Sequence, residues 1–125
     1  MSAPAPASAD RLTTHVLDTA GGRPAAGVRL ALFRLGDAGR ERVAEAVTND
    51  DGRCDAPLLA GAAFTPGRYE IVFQVGAYFR AQGASATEPP FLDEVPVRFA
   101  VAVPVGHYHV PLLVSPYGYT TYRGS

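Results

Sequence analysis

Short segments in which apolar and polar residues alternate run through most of this chain. In "RYEIVFQV", Tyr69, Ile71 and Phe73 share one side, while Arg68 and Glu70 share the other. Successive side chains of a strand point to opposite faces, so the alternation predicts half-buried strands. Four more segments show it: "LTTHVLD", "GVRLALFRL" (Val28, Leu30, Leu32), "RVAEAV" (Val43, Val47) and "VPVRFAVAV" (Val95, Val97, Phe99, Val101, Val103).

Turn-forming stretches rich in Gly, Pro, Asn and Asp separate these segments, among them "TAGGRPAAG", "NDDGR" and "SPYG". Seven or eight short strands joined by such turns predict an antiparallel β-sandwich. One segment, "GAYFRAQG", lacks the alternation and ends on Gly83, as a short helix would. The prediction is therefore an all-β domain with one short helix.

Composition limits the function classes. The chain has 125 residues, 47% hydrophobic and 18% charged, with a net charge of −1, which favours one globular domain and gives no basic surface for nucleic acid. The Ala/Pro/Ser-rich start predicts a flexible tail over residues 1–10, without a secretory signal, before a domain over 11–125. No apolar run reaches the roughly 18 residues of a membrane span. The single Cys54 excludes an internal disulfide and favours a cytoplasmic location.

The three histidines are the first candidates for chemistry. His107 and His109 would share one face of a strand, about 7 Å apart along it, and His15 belongs to the first strand. A His-X-His pair with a distant third histidine is one pattern of a zinc site. A single histidine in a half-buried strand is more often a hydrogen-bonded structural residue. Both interpretations stay open at this point.

Two further interpretations involve Arg53. An adjacent cation can activate a thiol, and Arg53 precedes Cys54. Neighbours in a strand point to opposite faces, however, so a small buried thiol is favoured over a nucleophile. The last interpretation is acid–base chemistry without a metal, using imidazoles and the Arg53 guanidinium. Spacing alone does not choose among the four.

Three separated motifs, in order, resemble the transthyretin-related family: "THVLDTAGGRPAAGV", "TNDDGR" and "HYHVPLLVSPYGYTTYRGS". The similarity runs from about residue 11 to Ser125, and the terminal "YRGS" is the pattern of the family's hydrolases, which its hormone carriers lack. The resemblance implies a transthyretin-like antiparallel β-sandwich of two four-stranded sheets with one short helix. It also implies a homotetramer, a dimer of dimers, with active sites in a channel between the dimers.

The resemblance further implies hydrolysis of the N1–C6 amide of 5-hydroxyisourate, a step of urate degradation, with no cofactor and no metal. The matching positions assign catalysis to His15, Arg53, His109 and Ser125, and substrate binding to His15, Arg53 and Tyr122. Either His15 or His109 would activate water, and Arg53 would stabilise the oxyanion. The hydroxyl or terminal carboxylate of Ser125 could hold a catalytic histidine in one tautomer.

Two points are left open by the resemblance. His107 has a weaker claim than His109 and is interpreted as a structural or supporting residue. The alternative function is a small-molecule carrier without catalysis, like the hormone-binding transthyretins, and the histidines, Arg53 and "YRGS" argue against it.

Overall fold

A computed structural model describes residues 10–124 of the chain. The predicted roles of Ser125 and of the tail before Asp10 therefore lie outside the described residues. Asp10 itself is held: its carboxylate accepts a hydrogen bond of 2.8 Å from the backbone N–H of Gly106. Its backbone carbonyl accepts another, of 2.9 Å, from the N–H of Gly61.

Short strands dominate the described part of the chain. The helices there are α1 (Val75–Ala81) and a 3₁₀ turn at Gly61–Ala63. The strands are β1 (Arg11–Thr13), β2 (Val16–Asp18), β3 (Arg23–Pro24), β4 (Arg29–Gly36), β5 (Gly39–Val47), β6 (Leu59–Ala60), β7 (Gly67–Phe73), β8 (Val95–Val101), β9 (His107–His109), β10 (Leu112–Ser115) and β11 (Gly118–Thr121).

These strands form three hydrogen-bonded groups rather than the predicted two four-stranded sheets. One is antiparallel, in the order β5-β4-β7-β8; the others are β6-β1-β9 and β11-β10-β2-β3. The last two groups lie end to end in one layer. The N–H of Val110 donates a 3.0 Å hydrogen bond to the Thr13 carbonyl, and the N–H of Leu112 donates a 2.8 Å hydrogen bond to the His15 carbonyl, where the two groups meet. The predicted sheet count is thus wrong for a physical reason: the layer is interrupted where β1 passes into β2 and β9 into β10.

The predicted antiparallel pairing also needs correction. β1 pairs with β9, and β2 with β10, in parallel. Parallel neighbours need a long connection, and here most of the domain lies between the partners. Alternation reports which side of a strand is buried but carries no information on the direction of its partner.

The core combines the apolar faces of both layers, as the alternation predicted, with two exceptions. Val47 is 54% exposed and Val103 is 62% exposed. Ala46 and Ala44 pair with the buried Leu30 and Leu32 and pack on the core, so Val47 points to the other side of β5. β8 ends at Val101, before the alternating pattern does.

The predicted helix is confirmed over slightly different bounds. α1 starts at Val75 and ends at Ala81, and Gly83 follows in the left-handed region, with φ of 70°. The Tyr78 hydroxyl donates a hydrogen bond of 2.8 Å to the buried Asp18 carboxylate, which fixes the helix to the end of β2. Within residues 10–124, no helix is long and apolar enough to cross a membrane.

Candidate active site

The three histidines and Arg53 converge where β1 gives way to β2. His15 lies in that interruption and forms an isolated antiparallel bridge with Arg53. β9 carries His107 and His109 at its two ends, and its parallel register places His109 opposite Thr13 of β1. The ring centroids of His15 and His109 are 6.4 Å apart, and those of His107 and His109 are 5.6 Å apart. Residues separated by about ninety positions in sequence thus form one cluster.

A compact turn over residues 49–52 positions Arg53. The Asn49 side-chain oxygen accepts hydrogen bonds from the backbone N–H groups of Asp51 and Arg53, at 2.9 and 3.2 Å. Gly52 has φ of 77°, and its carbonyl accepts a 2.8 Å hydrogen bond from the N–H of Val16. The motif "TNDDGR" is therefore a turn that attaches Arg53 directly to β2.

The same turn also determines the state of His15. Its Nε2 atom lies 2.7 Å from the backbone carbonyl oxygen of Asp51. A carbonyl only accepts hydrogen bonds, so Nε2 carries a proton and donates it. In the neutral ring Nδ1 is then unprotonated and able to take up a proton. Asp51 was not predicted as a site residue, because its contribution comes from the backbone.

His109 is held in an environment that favours its neutral form. Its Nδ1 atom lies 2.8 Å from the Thr13 hydroxyl, which also contacts Nε2 of His107 at 2.5 Å. Burial lowers the pKa of His109, and the positive charges of His107, Arg53 and His15 lower it further. Desolvation and neighbouring cations both disfavour an imidazolium, so this ring is neutral near pH 7.

We expect this pKa to be measurable and to depend on Arg53. The His109 ring should take up its proton only as the pH falls below the ordinary histidine value of about 6.5. Chemistry that needs the neutral ring therefore persists to lower pH and is lost as the pH falls through the lowered pKa. Arg53→Gln should raise the pKa of His109 in an NMR titration. Arg42→Gln, on β5 of the other layer, is the matched control and should leave it unchanged; equal effects of both changes would contradict the local interaction.

The C-terminal motif packs directly on His109. The Gly124 N–H donates a 2.7 Å hydrogen bond to the His109 carbonyl, forming an isolated antiparallel bridge. A Cβ atom at position 124 would lie 2.7 Å from Cδ2 of the His109 ring. Before it, the Arg123 guanidinium lies 4.0 Å above the centre of the Tyr108 ring. The glycine of "YRGS" is therefore needed for close approach of the backbone to this imidazole.

Tyr122 of the C-terminal motif is exposed. Its side chain is 57% exposed and lines an open concavity of about 400 Å³ beside β8, together with Tyr108 and Arg123. The structure thus brings His15, Arg53 and His109 together within one protomer, and among residues 10–124 no hydrogen bond joins Tyr122 to a histidine.

Two alternative chemistries find little support in the geometry. Within the described range, no group of three or more His, Cys, Asp or Glu side chains is arranged to hold a metal ion. Burial raises the pKa of the Cys54 thiol, and the neighbouring Asp55 carboxylate raises it further. A raised pKa keeps the thiol protonated, which is the opposite of what a nucleophile needs.

The fold and site together define a class: a β-sandwich protein in which imidazoles and a guanidinium gather for acid–base chemistry. Comparison with known proteins identifies the family. A family model described as the HIUase/transthyretin family matches residues 12–124. The chain therefore belongs to the HIUase/transthyretin family, and the resemblance found in its motifs is confirmed.

Individual relatives support this family membership. A 5-hydroxyisourate hydrolase of Mesorhizobium japonicum is 61% identical over 119 residues, which are 95% of each chain. The crystal structure of an (S)-allantoin synthase matches with a TM-score of 0.88 and 49% identity; the match covers 94% of this chain but only 44% of the synthase. Sea bream transthyretin in complex with thyroxine matches with a TM-score of 0.81 and 32% identity, over 91% of this chain and 94% of that one.

Proposed function

We propose that this chain hydrolyses 5-hydroxyisourate at its N1–C6 amide, opening the six-membered ring to give 2-oxo-4-hydroxy-4-carboxy-5-ureidoimidazoline in urate degradation. The observation that carries the proposal is the His15–Arg53–His109 cluster, in a chain 61% identical to a protein named for this activity. The carrier alternative rests on less similar structures, such as the sea bream transthyretin in complex with thyroxine at 32% identity.

Amide hydrolysis sets three tasks for these side chains. A water molecule must lose a proton as it attacks, the carbonyl oxygen must be stabilised as an oxyanion, and the leaving nitrogen must gain a proton. Neutral imidazoles supply proton transfer, and we assign this task to His15 and His109, whose ring centroids lie 6.4 Å apart. Arg53 donates charge-assisted hydrogen bonds to substrate oxygens and the oxyanion. This chemistry requires no metal and no cofactor.

Tyr122 and Ser125 complete the proposed site in the assembled protein. We assign Tyr122 to hydrogen bonding of the flat substrate, and Ser125 to orienting a catalytic histidine. The exposure of Tyr122 in the single protomer fits a residue that meets its partners across an interface. The lack of a hydrogen bond from Tyr122 to a histidine among residues 10–124 fits the same interpretation.

We also propose a homotetramer, a dimer of dimers, and the free edges of both layers support this proposal. β11 and β8 are the terminal strands of their groups, and all four residues of β11 are exposed. Bare strand edges favour aggregation, and pairing them across a two-fold axis removes the hazard. The single cysteine supports a cytoplasmic location as part of the proposal.

The test is kinetic. Purified protein is added to freshly generated 5-hydroxyisourate, and the loss of its ultraviolet absorbance is compared with decay in buffer. We expect a large acceleration that survives treatment with EDTA. Decay no faster than in buffer, with binding of thyroxine, would favour the carrier instead. Activity that is lost on chelation and restored by zinc would contradict the metal-free mechanism.

A further inference from the structure

A chain of side-chain hydrogen bonds leads from Arg11 to His109. Nη2 of Arg11 lies 3.3 Å from Nδ1 of His107. Nε2 of His107 lies 2.5 Å from the Thr13 hydroxyl, and that hydroxyl lies 2.8 Å from Nδ1 of His109. The parallel pairing of β1 with β9 creates this chain, because it places Arg11 opposite His107 and Thr13 opposite His109.

The donors and acceptors along this chain of hydrogen bonds determine in which direction each proton is donated. A guanidinium only donates, so Nδ1 of His107 must accept, and the proton of the neutral ring is on Nε2. That proton is donated to the Thr13 oxygen, which leaves the Thr13 hydroxyl hydrogen for Nδ1 of His109. The proton of neutral His109 is then on Nε2. The reverse direction would turn an N–H of His107 against the N–H groups of Arg11.

We propose that Thr13 and His107 are positioning residues that hold His109 as a neutral imidazole with its proton on Nε2, leaving His15 as the base. The inference rests on the proposed function for its chemistry, but the tautomers follow from geometry alone. His15 complements the arrangement, because its Nε2–H is bound to the Asp51 carbonyl and its Nδ1 is unprotonated.

The reaction balances with these two tautomers. Nδ1 of His15 takes a proton from water, and the oxygen of that water bonds to C6. Nε2–H of His109 and the Arg53 guanidinium donate hydrogen bonds to the resulting oxyanion. As the C6–N1 bond breaks, the His15 imidazolium returns its proton to N1 and the oxyanion re-forms a carbonyl. His109 keeps its proton throughout, so its neutral form is sufficient.

The charges around the pair of β9 histidines support their neutral state. Burial lowers the pKa of His107, and the cations of Arg11 and Arg53 lower it further. Burial lowers the pKa of His109 as well; the Arg53 cation and the neighbouring His107 and His15 rings, whenever they take up a proton, lower it further. Among residues 10–124, no carboxylate shifts the pKa of either ring, so neither has an anion there to stabilise an imidazolium.

The direct test is to measure the tautomeric state of each histidine ring in the absence of substrate. Long-range ¹H–¹⁵N correlation spectra of the ¹⁵N-labelled full chain, at neutral pH, separate protonated from unprotonated ring nitrogens. We expect all three histidines to be protonated at Nε2 and unprotonated at Nδ1. His109 with its proton on Nδ1, or His107 with its proton on Nδ1, would overturn the proposal.

The variants Thr13→Val and Thr13→Ser test whether the hydrogen bonds from His107 through Thr13 to His109 affect the His109 tautomer and turnover. Valine keeps the shape of threonine but loses the hydroxyl, so His109 should populate both tautomers. If the two are equally populated, kcat should fall about twofold, because turnover follows the fraction of rings in the competent tautomer. KM should change little, because the affected contact is to the oxyanion rather than to the bound substrate. Serine retains the hydroxyl and should restore both the spectrum and kcat. A Thr13→Val protein with native tautomers and native kcat would contradict the proposal.

His107→Gln provides a second variant if Thr13→Val does not fold. The glutamine amide can still donate a hydrogen bond to Thr13, so His109 should keep its proton on Nε2 and the protein most of its activity. Leucine cannot donate, so His107→Leu should show a mixture of His109 tautomers and lower activity. Failure of the two proposals is distinguishable. Native tautomers as expected, without acceleration of 5-hydroxyisourate decay, would reject the function alone. Rapid turnover by a protein whose His109 carries its proton on Nδ1 would reject only the positioning role of Thr13 and His107.

Discussion

Replacing His109 with asparagine lowers kcat for 5-hydroxyisourate by about 10²- to 10³-fold, the scale of removing one donor to an oxyanion. The asparagine side-chain oxygen can occupy the place of Nδ1 and accept the Thr13 hydrogen bond, which measures 2.8 Å in the native site. The fold should therefore be retained, while the N–H group at the position of Nε2 is lost. Steady-state kinetics and circular dichroism together measure this outcome.

His109→Gln is the matched control for that substitution. The longer glutamine amide can place an N–H group near the position of Nε2, so it should retain more activity than asparagine. Equal losses in both variants would indicate that His109 transfers a proton rather than donating a fixed hydrogen bond. Unfolding of both variants would instead indicate a structural role for this histidine.

Gly52→Ala should lower the free energy of unfolding by about 3 kcal/mol or more, the range reached by steric strain at a special backbone position. An added Cβ would lie 2.3 Å from the Val16 carbonyl oxygen, and φ at this glycine is 77°. Relief of the clash requires the turn to separate from β2. That movement displaces the Asp51 carbonyl from His15 and the Arg53 guanidinium from the site, so activity should fall with stability.

Gly27→Ala separates the steric clash from the backbone conformation. Gly27 has φ of 80°, but an added Cβ there would have no heavy atom within 4 Å apart from its chain neighbours. Only the left-handed conformation is then penalised, at about 1 kcal/mol. Urea unfolding of both variants gives the comparison. Equal destabilisation would contradict the argument that Gly52 is required for close packing on β2.

Much of the fold is encoded locally and was predicted. Tyr69, Ile71 and Phe73 are fully buried, as their alternation indicated, because the side of a strand to which a residue points depends only on its position in that strand. Val43 and Val47 were predicted to share an apolar face, but the register of β5 against β4 shifts at Val43, so Val43 packs on the core while Val47 is exposed. That shift arises from the pairing of two strands and has no signal within either one.

The candidate site was also predicted only in part. Resemblance to family motifs identified His15, Arg53 and His109, and the structure brings these three together. Thr13 and Arg11 were missed as contributors. Thr13 and His15 lie two residues apart in the alternating segment "LTTHVLD" and therefore share a face, which was the available signal. The link from Thr13 to His109 depends on the parallel partner of β1.

The sequence by itself determined which residues are chemically capable, which sides of the strands are buried, and to which family the chain belongs. The tertiary structure alone decided which nitrogen of each imidazole carries the proton. A tautomer depends on the donors and acceptors within about 3 Å of the ring, and here those are a hydroxyl on β1, a guanidinium on β1 and the backbone of a turn. Contacts between segments so distant in the chain exist only after the two parallel strand pairs have formed.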